Sequence, residues 1–331
     1  MDAISEVLRV VKLDGALFFN AEFCAPWCIN SPQSSQVAPH LCEGAEHLII
    51  YHYLMEGQAY ARLKAGGERV ELEAGDIVIF PHGDAHVLGN GFGARPLNGL
   101  QLLSQLKTGL SPTRWGEGGN VTRFVCGFMV CDPRLSEVFL AGLPKILKVS
   151  IGNAPSGQWL ENSIQFSAGA GNHDDAGSRM VIARLSELLF METLRYYITR
   201  LPADEVGWLA GARDPAIGQA LALMHKDPAH QWTISSLVRQ LGLSRTRLGE
   251  RFRHFLGESP MAYLTRWRLK LAAEMLQSSD DSVAEIAAAV GYGSEAALNR
   301  AFKRAFGCPP ARFRRERKEA LPPAMRKSQV A

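Results

Sequence analysis

Five residues in the last third of the chain, Ser244, Leu248, Phe252, Gly257 and Pro260, recur in the same order as Ser294, Leu298, Phe302, Gly307 and Pro310. Each set frames a short basic segment whose side chains suit the edges and backbone of a DNA duplex. In the first, Thr246, Glu250 and Arg253 fall on the helix face opposite Leu248 and Phe252, with Arg245 and Arg247 at the N-terminal end. In the second, Ala296, Arg300 and Lys303 take the matching face, with Glu295 and Asn299 beside it. Helices that enter a major groove read bases mainly through their N-terminal residues, while Arg and Lys further along reach phosphates. The pattern assigns base edges to Arg245, Thr246, Glu250, Glu295, Ala296 and Arg300. A guanidinium such as Arg300 reads guanine, the Glu250 carboxylate accepts from cytosine N4, and the Ala296 methyl meets a thymine methyl. Arg247, Arg253, Lys303 and Arg304 are assigned to phosphates.

A second constellation lies upstream. Residues 75–90, GDIVIFPHGDAHVLGN, place Gly75, Pro81, Gly83, His86 and Asn90 at the spacing of the second cupin motif. Gly75-Asp76 makes a hairpin corner, Pro81 and Gly83 set the next turn, and His86 points into a barrel. Metal-binding cupins gather three or four inward ligands, commonly a His-x-His pair, a Glu and a further His. Here His52 is followed by Tyr53-Leu54, so that pair is missing, although Glu56 could face inward with it and His40, His47 and His82 are further imidazoles. The residues favour an effector pocket on His52 and His86 with aromatic neighbours, and no metal or other cofactor. Cys24, Cys28, Cys126 and Cys131 admit two readings: small apolar packing residues, or thiols that sense oxidants or electrophiles. Cys42 shares that choice, and Cys308, in the turn after the second basic helix, reads as structural.

The basic segments need helices to carry them. Seven follow from Asp214: about 215–226, 233–241, 244–256, 260–277, 283–290, 294–306 and 310–318. Thr233 and Ser244 are capping residues, and Glu295 puts an acid in a first turn. Gly257 and Gly307 suit left-handed positions at helix ends, and Pro260 and Pro310 suit helix starts. Leu248, Phe252 and Phe255 are expected in the core, as are Leu298, Phe302 and Phe306. Residues from about 45 to 105 read as strands (HLIIYHYLM, QAYARLK, RVELEAG, DIVIFP), 105–121 as a loop, and TRFVCGFMVCD as a further strand. Residues 178–200 form a helix with Ile182, Leu185, Leu189 and Tyr196 near one face, widened by Leu188 and Leu194. That face packs either on the barrel or on a second copy. Pro202 and the Gly207–Gly211 stretch then break the helix.

At 331 residues, with 47% hydrophobic and 21% charged side chains, the chain has room for two soluble domains. No apolar run reaches the roughly 18 residues of a membrane helix. The opening MDAISEVLRVVKLDG lacks the basic-then-apolar order of an export signal, so the cytoplasm is the expected compartment. Residues 213–331 carry 20 Lys and Arg against 11 Asp and Glu, a net +9, whereas residues 1–212 carry 16 against 22, a net −6. Positive charge thus gathers where the repeat lies, which suits a polyanion partner for that end alone.

Residues 214–318, and above all GYGSEAALNRAFKRAFGCPPARFRR, resemble the DNA-binding domain of the AraC/XylS family of bacterial transcription regulators. The resemblance implies two helix-turn-helix units, about 233–256 and 283–306, held by a linker helix and controlling transcription initiation. Residues 1–150 resemble, more loosely, the cupin-type ligand domain attached to many such regulators. The expected fold class is α+β multidomain. An N-terminal cupin β-barrel (1–150) precedes a helical connector and dimerisation region (151–212), an all-α double helix-turn-helix domain (213–318) and a tail (319–331). Expected partners are double-stranded DNA, a small-molecule or redox effector, a second copy in a homodimer, and RNA polymerase if the output is activation; no membrane is involved. The regulator is expected to be no enzyme; the alternative is a metal-dependent cupin enzyme with a DNA-binding appendage.

Overall fold

The computed structural model describes residues 19–320, apart from 43–44, 46, 92, 106–108, 117, 132–139, 141, 152–157, 160–161, 164–177 and 203. The expected tail therefore lies almost wholly outside the described residues, as do the side chains of Cys131 and Ile182. The described strands form two sheets. One has the order β11 (Leu147–Ser150), β6 (Asp76–Phe80), β3 (His47–Glu56), β10 (Val121–Cys131), β1 (Phe19–Cys24), β9 (Gly109–Trp115). The other runs β5 (Val70–Glu73), β4 (Gln58–Leu63), β7 (His86–Asn90), β2 (Trp27–Ser31), β8 (Leu97–Asn98). Neighbours are antiparallel except that β9 runs parallel to β1 and β8 parallel to β2.

Alternation along the strands fills the space between the sheets. Ala21, Phe23, Leu54, Val78, Phe80 and Phe124 from the first sheet share one core with Trp27, Ile29, Ala59, Ala61, Leu72 and Leu88 from the second. This is the double-sheet jelly-roll arrangement in which the cupin barrel is built. The expected strands are present, but the expected loop at 105–121 contains β9, which is held by pairing with β1 rather than by any local pattern. Two strands, β1 and β2, and a short helix α1 (Ser34–Leu41) also occupy the stretch before residue 45, where no element was read. Helix α2 (Gly99–Gln105) follows β8.

Helix α3 (Ser178–Thr199) packs against β10 and β11 of the same chain. Its buried stripe, Leu189, Phe190, Leu194 and Ile198, shares Leu189 and Leu194 with the expected face, while Leu185 and Tyr196 are half-buried; Leu188 is 38% exposed, and Val181 and Met191 are exposed beside it. The chain divides into two compact units after Arg200, so α3 belongs with the sheets. Helix α3 ends at Thr199, before Pro202 as expected, and the Gly207–Gly211 stretch just beyond carries a short helix that was not read, α4 (Trp208–Arg213), with Trp208 and Leu209 buried. Burial of these two side chains outweighs the helix-weakening glycines.

The second unit continues through α5 (Pro215–Lys226), α6 (Ile234–Leu241), α7 (Arg245–Leu256), α8 (Pro260–Ser278), α9 (Val283–Ala289), α10 (Glu295–Phe306) and α11 (Pro310–Ala320). Each boundary falls within two residues of the sequence expectation because the caps are explicit. Thr233 and Ser236 form one capping box and Ser282 and Glu285 another, while Ser244 and Ser294 accept from Arg247 and Ala297 amides at 3.2 Å. Gly257 and Gly307 end α7 and α10 with φ of 71° and 77°. Phe255 and Phe306 are half-buried rather than central, because each lies in the last turn of its helix.

Gly291, in the turn between α9 and α10, adopts φ 85°, and a Cβ there would lie 2.8 Å from the Pro228 carbonyl oxygen. We therefore expect Gly291→Ala to destabilise the helical unit by about 2–4 kcal/mol, through both strain and collision. Urea unfolding followed by far-ultraviolet circular dichroism reads this directly; a loss under about 0.5 kcal/mol would contradict the tight turn.

Candidate nucleic-acid interface and effector pocket

Helices α6 and α7 form one helix-turn-helix and α9 and α10 the other, with α8 between them. At 1.5 Å per residue the 19 residues of α8 span about 28 Å, on the order of one duplex turn. Leu248, Phe252, Leu298 and Phe302 are fully buried. The ten residues assigned to DNA lie on the other side. Arg245, Thr246, Arg247, Glu250 and Arg253 on α7, and Glu295, Ala296, Arg300, Lys303 and Arg304 on α10, are all exposed. Arg245 donates to Ser235 Oγ at 2.7 Å, which ties the start of α7 to α6. Asn299 donates to the Glu295 carbonyl at 3.2 Å.

Other polar groups hold the first of these helices in place; of them only Asp214, as the cap before Pro215, was expected from the sequence. Arg251 points away from the exposed face and pairs with Asp214, whose other oxygen caps α5 by accepting from Ile217 N at 3.0 Å. Trp208 Nε1 donates to Tyr263 Oη at 2.9 Å, and Tyr263 Oη lies 2.8 Å from His225 Nε2, so α4, α5 and α8 share one buried polar junction. Arg268 donates to the Pro228 and His230 carbonyls at 2.7 and 2.8 Å, pinning the turn between α5 and α6. Only a Trp, Tyr and His within otherwise apolar helix faces signalled that junction beforehand.

In the sheet unit, register does what spacing could not. His52 stands directly opposite Cys126 on β10, and its Nδ1 lies 2.9 Å from Cys126 Sγ. Its Nε2 reaches across the sandwich to His86 Nε2 at 3.0 Å, and His86 Nδ1 lies 2.9 Å from the Asp84 carbonyl. That carbonyl only accepts, so His86 Nδ1 carries the proton. His52 Nε2–H then donates to His86 Nε2, and the Cys126 thiol donates to His52 Nδ1. Burial holds His52 well below the usual imidazole range, helped by His86, and lowers His86 to about 4. Burial likewise pushes the Cys126 thiol up, so the chain of three side chains is neutral. The His86 ring also stacks on Phe80 with centroids 3.6 Å apart.

A half-open pocket of about 110 Å³ lies on one side of this relay. His52 and Cys126 line it together with Phe23, Trp115, Phe124 and Phe128. His86, expected in the lining, instead stands behind His52 and is fully buried. The residues do not fit the three- or four-ligand cupin cation site. Glu56 is exposed and pairs with Arg123, His47 and His82 bond the Pro81 and Leu143 carbonyls, and His40 is exposed. Among the described residues no group of three possible ligands converges.

The thiols are dispersed. Cys24 accepts from Arg114 at 3.3 Å, and Cys28 Sγ lies 4.0 Å from Tyr60 Oη. Cys24 pairs with Val121 and Cys126 with Phe19 on the same ladder. Five rungs separate them, about 17 Å, where a disulfide needs Cα atoms within roughly 7 Å.

Comparison with known proteins agrees with both halves. Residues 2–199 match the family model described as Cupin, and residues 237–316 one described as Helix-turn-helix domain. An AraC-like transcription regulator of Streptomyces antibioticus is 30% identical over 319 residues, covering 95% of this chain and 99% of its own. The RCS-specific HTH-type transcriptional activator RclR of Escherichia coli is 26% identical over 97% of this chain and 100% of its own. Among solved structures, the DNA-binding domain of AdpA in complex with a target DNA is 30% identical. It covers 33% of this chain and 98% of that one, with a TM-score of 0.32.

The neutral imidazoles carry a pH signature. In the unfolded chain they take protons near pH 6.5, whereas in the folded unit they resist to lower pH, His86 to about 4. The unfolded state therefore binds more protons in that window, and stability falls as pH drops from about 6.5, at up to roughly 1.4 kcal/mol per pH unit for each imidazole. Denaturant midpoints of wild type and His86→Gln between about pH 7 and pH 5 test this; equal slopes would refute it.

Proposed function

The chain belongs to the AraC-like transcription regulators, and from that premise we propose that α7 and α10 enter successive major-groove turns of one operator. The single observation that carries this reading is the shared outward presentation of ten DNA-suited side chains on two buried, capped helices. Arg245, Thr246 and Glu250 read one half of the site and Glu295, Ala296 and Arg300 the other, while Arg247, Arg253, Lys303 and Arg304 grip phosphates. The output is regulatory rather than catalytic, since the sheet unit offers a neutral pocket in place of a cation centre or a charged acid–base pair. The small-molecule effector is assigned to the pocket beside His52 and Cys126. Disulfide sensing between Cys24 and Cys126 has less support, given their separation along the ladder. RNA polymerase is the further partner if the output is activation, and the cytoplasm is where the chain meets its DNA. No described helix is long and apolar enough to cross a membrane.

Dimerisation is assigned to the outer face of α3. Val181, Leu188 and Met191 recur there at helical spacing, exposed, while the opposite face is spent on the sheets.

Two experiments follow. Arg300→Ala should relax preference at one base position by about 1–3 kcal/mol, whereas Lys303→Ala should weaken all sequences alike and flatten the salt dependence by about one charge. Binding to a randomised duplex pool at two salt concentrations separates them, and a uniform loss for Arg300→Ala would move that residue to the phosphate class. Leu188→Glu should shift the protein toward monomer in analytical ultracentrifugation without lowering its unfolding midpoint; an unchanged sedimentation profile would remove α3 as the interface.

A further inference from the structure

We propose that the pocket beside β3 and β10 takes an uncharged, predominantly apolar small molecule, about as bulky as a singly substituted benzene or a short hydrocarbon. The proposal rests on reading this pocket as the effector site and narrows what that effector is.

Size comes first. A cavity of about 110 Å³ is of the same order as the engineered Leu-, Ile- and Phe-lined cavity of roughly 150 Å³ that stays dry and binds benzene, a worked case of the general rule. Its walls are of the same kind, with Phe23, Leu88, Leu102, Trp115, Phe124 and Phe128 among them. Aromatic rings on several sides offer edge and face contacts to a flat or branched apolar guest.

Charge comes next. Among the described lining residues there is no carboxylate, ammonium or guanidinium, so a carboxylate, phosphate or amine guest would shed water without gaining a counterion from them. Hydrogen bonding points the same way. The His52 Nε2 proton is committed to His86 and the Cys126 thiol proton to His52, so neither presents a donor to the cavity. Among the described lining residues Ser31 brings the one hydroxyl and Trp115 the one indole N–H. A sugar or other polyol would bury several hydroxyls with no partners, which such a site rejects far more strongly than a missing methyl. Depressed basicity in both imidazoles keeps the relay neutral across physiological pH, so the wall does not acquire a charge that would change this choice.

The full-length protein provides the test, with toluene as the apolar probe and benzoate and glucose as charged and polyhydroxylated comparators. Millimolar toluene should raise the unfolding midpoint by about 3 °C and alter the emission of Trp115, while benzoate and glucose at equal concentration leave both unchanged. Leu102→Trp, which fills the cavity, should abolish the shift. Where that variant fails to fold, Trp115→Phe should retain the midpoint shift and lose the emission change. Stabilisation by benzoate or glucose but not toluene would overturn the proposal, as would a toluene response that Leu102→Trp leaves intact. A pocket-dependent toluene response with unaltered DNA affinity would uphold the ligand class while removing the pocket as the effector site.

Discussion

Two apolar pairs, Leu248 with Phe252 and Leu298 with Phe302, determine which way each basic helix faces. Spaced four residues apart, the members of a pair land on one side of their helix, and all four side chains are fully shielded from water. Burying one such side chain is worth roughly 2–3 kcal/mol, whereas an exposed ion pair seldom contributes more than about 1 kcal/mol. Rotation of either helix about its axis would therefore sacrifice more than any surface charge could return. The outward display of arginines and glutamates follows from the core beneath them. The helix caps act in the same sense: Ser244 and Ser294 begin α7 and α10 at equivalent places, so the two displays start at the same residue of the repeat.

The sheet unit solves its positioning problem by register rather than by repeat. His52 meets Cys126 because β3 and β10 pair antiparallel with those residues opposite each other, and it meets His86 because β7 lies in the facing sheet. A slip of one residue in β3 would turn His52 outward and bring Tyr51 or Tyr53 inward, exchanging every side chain on both faces. Three polar groups that would each be costly to bury alone satisfy one another in series and end on the Asp84 carbonyl. The result is a rigid, neutral wall in an otherwise greasy space.

Much of the helical unit was legible in the sequence because its signals are local. Caps, left-handed glycines and initiating prolines sit within a few residues of the boundaries they set, and α5 begins and ends at the residues expected for it. The sandwich was legible only where strands are long or carry the Gly75–Asn90 motif. Strand β9 has Pro112 and Gly109 within it and is sustained by a partner ninety residues away in sequence, so no window of the chain announces it. Helix α4 was missed because the glycines around it are visible and the burial of Trp208 is not. The link between Cys126 and His52 was hidden for a similar reason: both residues were singled out, for different roles, and only the ladder joins them. On α3, Leu189 and Leu194 were read correctly as inward, but Leu188 was taken for Phe190 since the two are equally apolar and tertiary packing alone chooses between them.

One small feature stiffens the helical unit at its upstream end. Arg213 binds the Leu201 carbonyl at 2.5 Å, Gly207 N–H bonds the Phe255 carbonyl at 2.9 Å, and Trp208 is locked to Tyr263. The segment around α4 is thus not slack chain but a splint bolted to the rear of α7. The bracing reaches α7 through Phe255 and α8 through Tyr263, so of the two DNA-facing helices it is the upstream one that this splint holds directly.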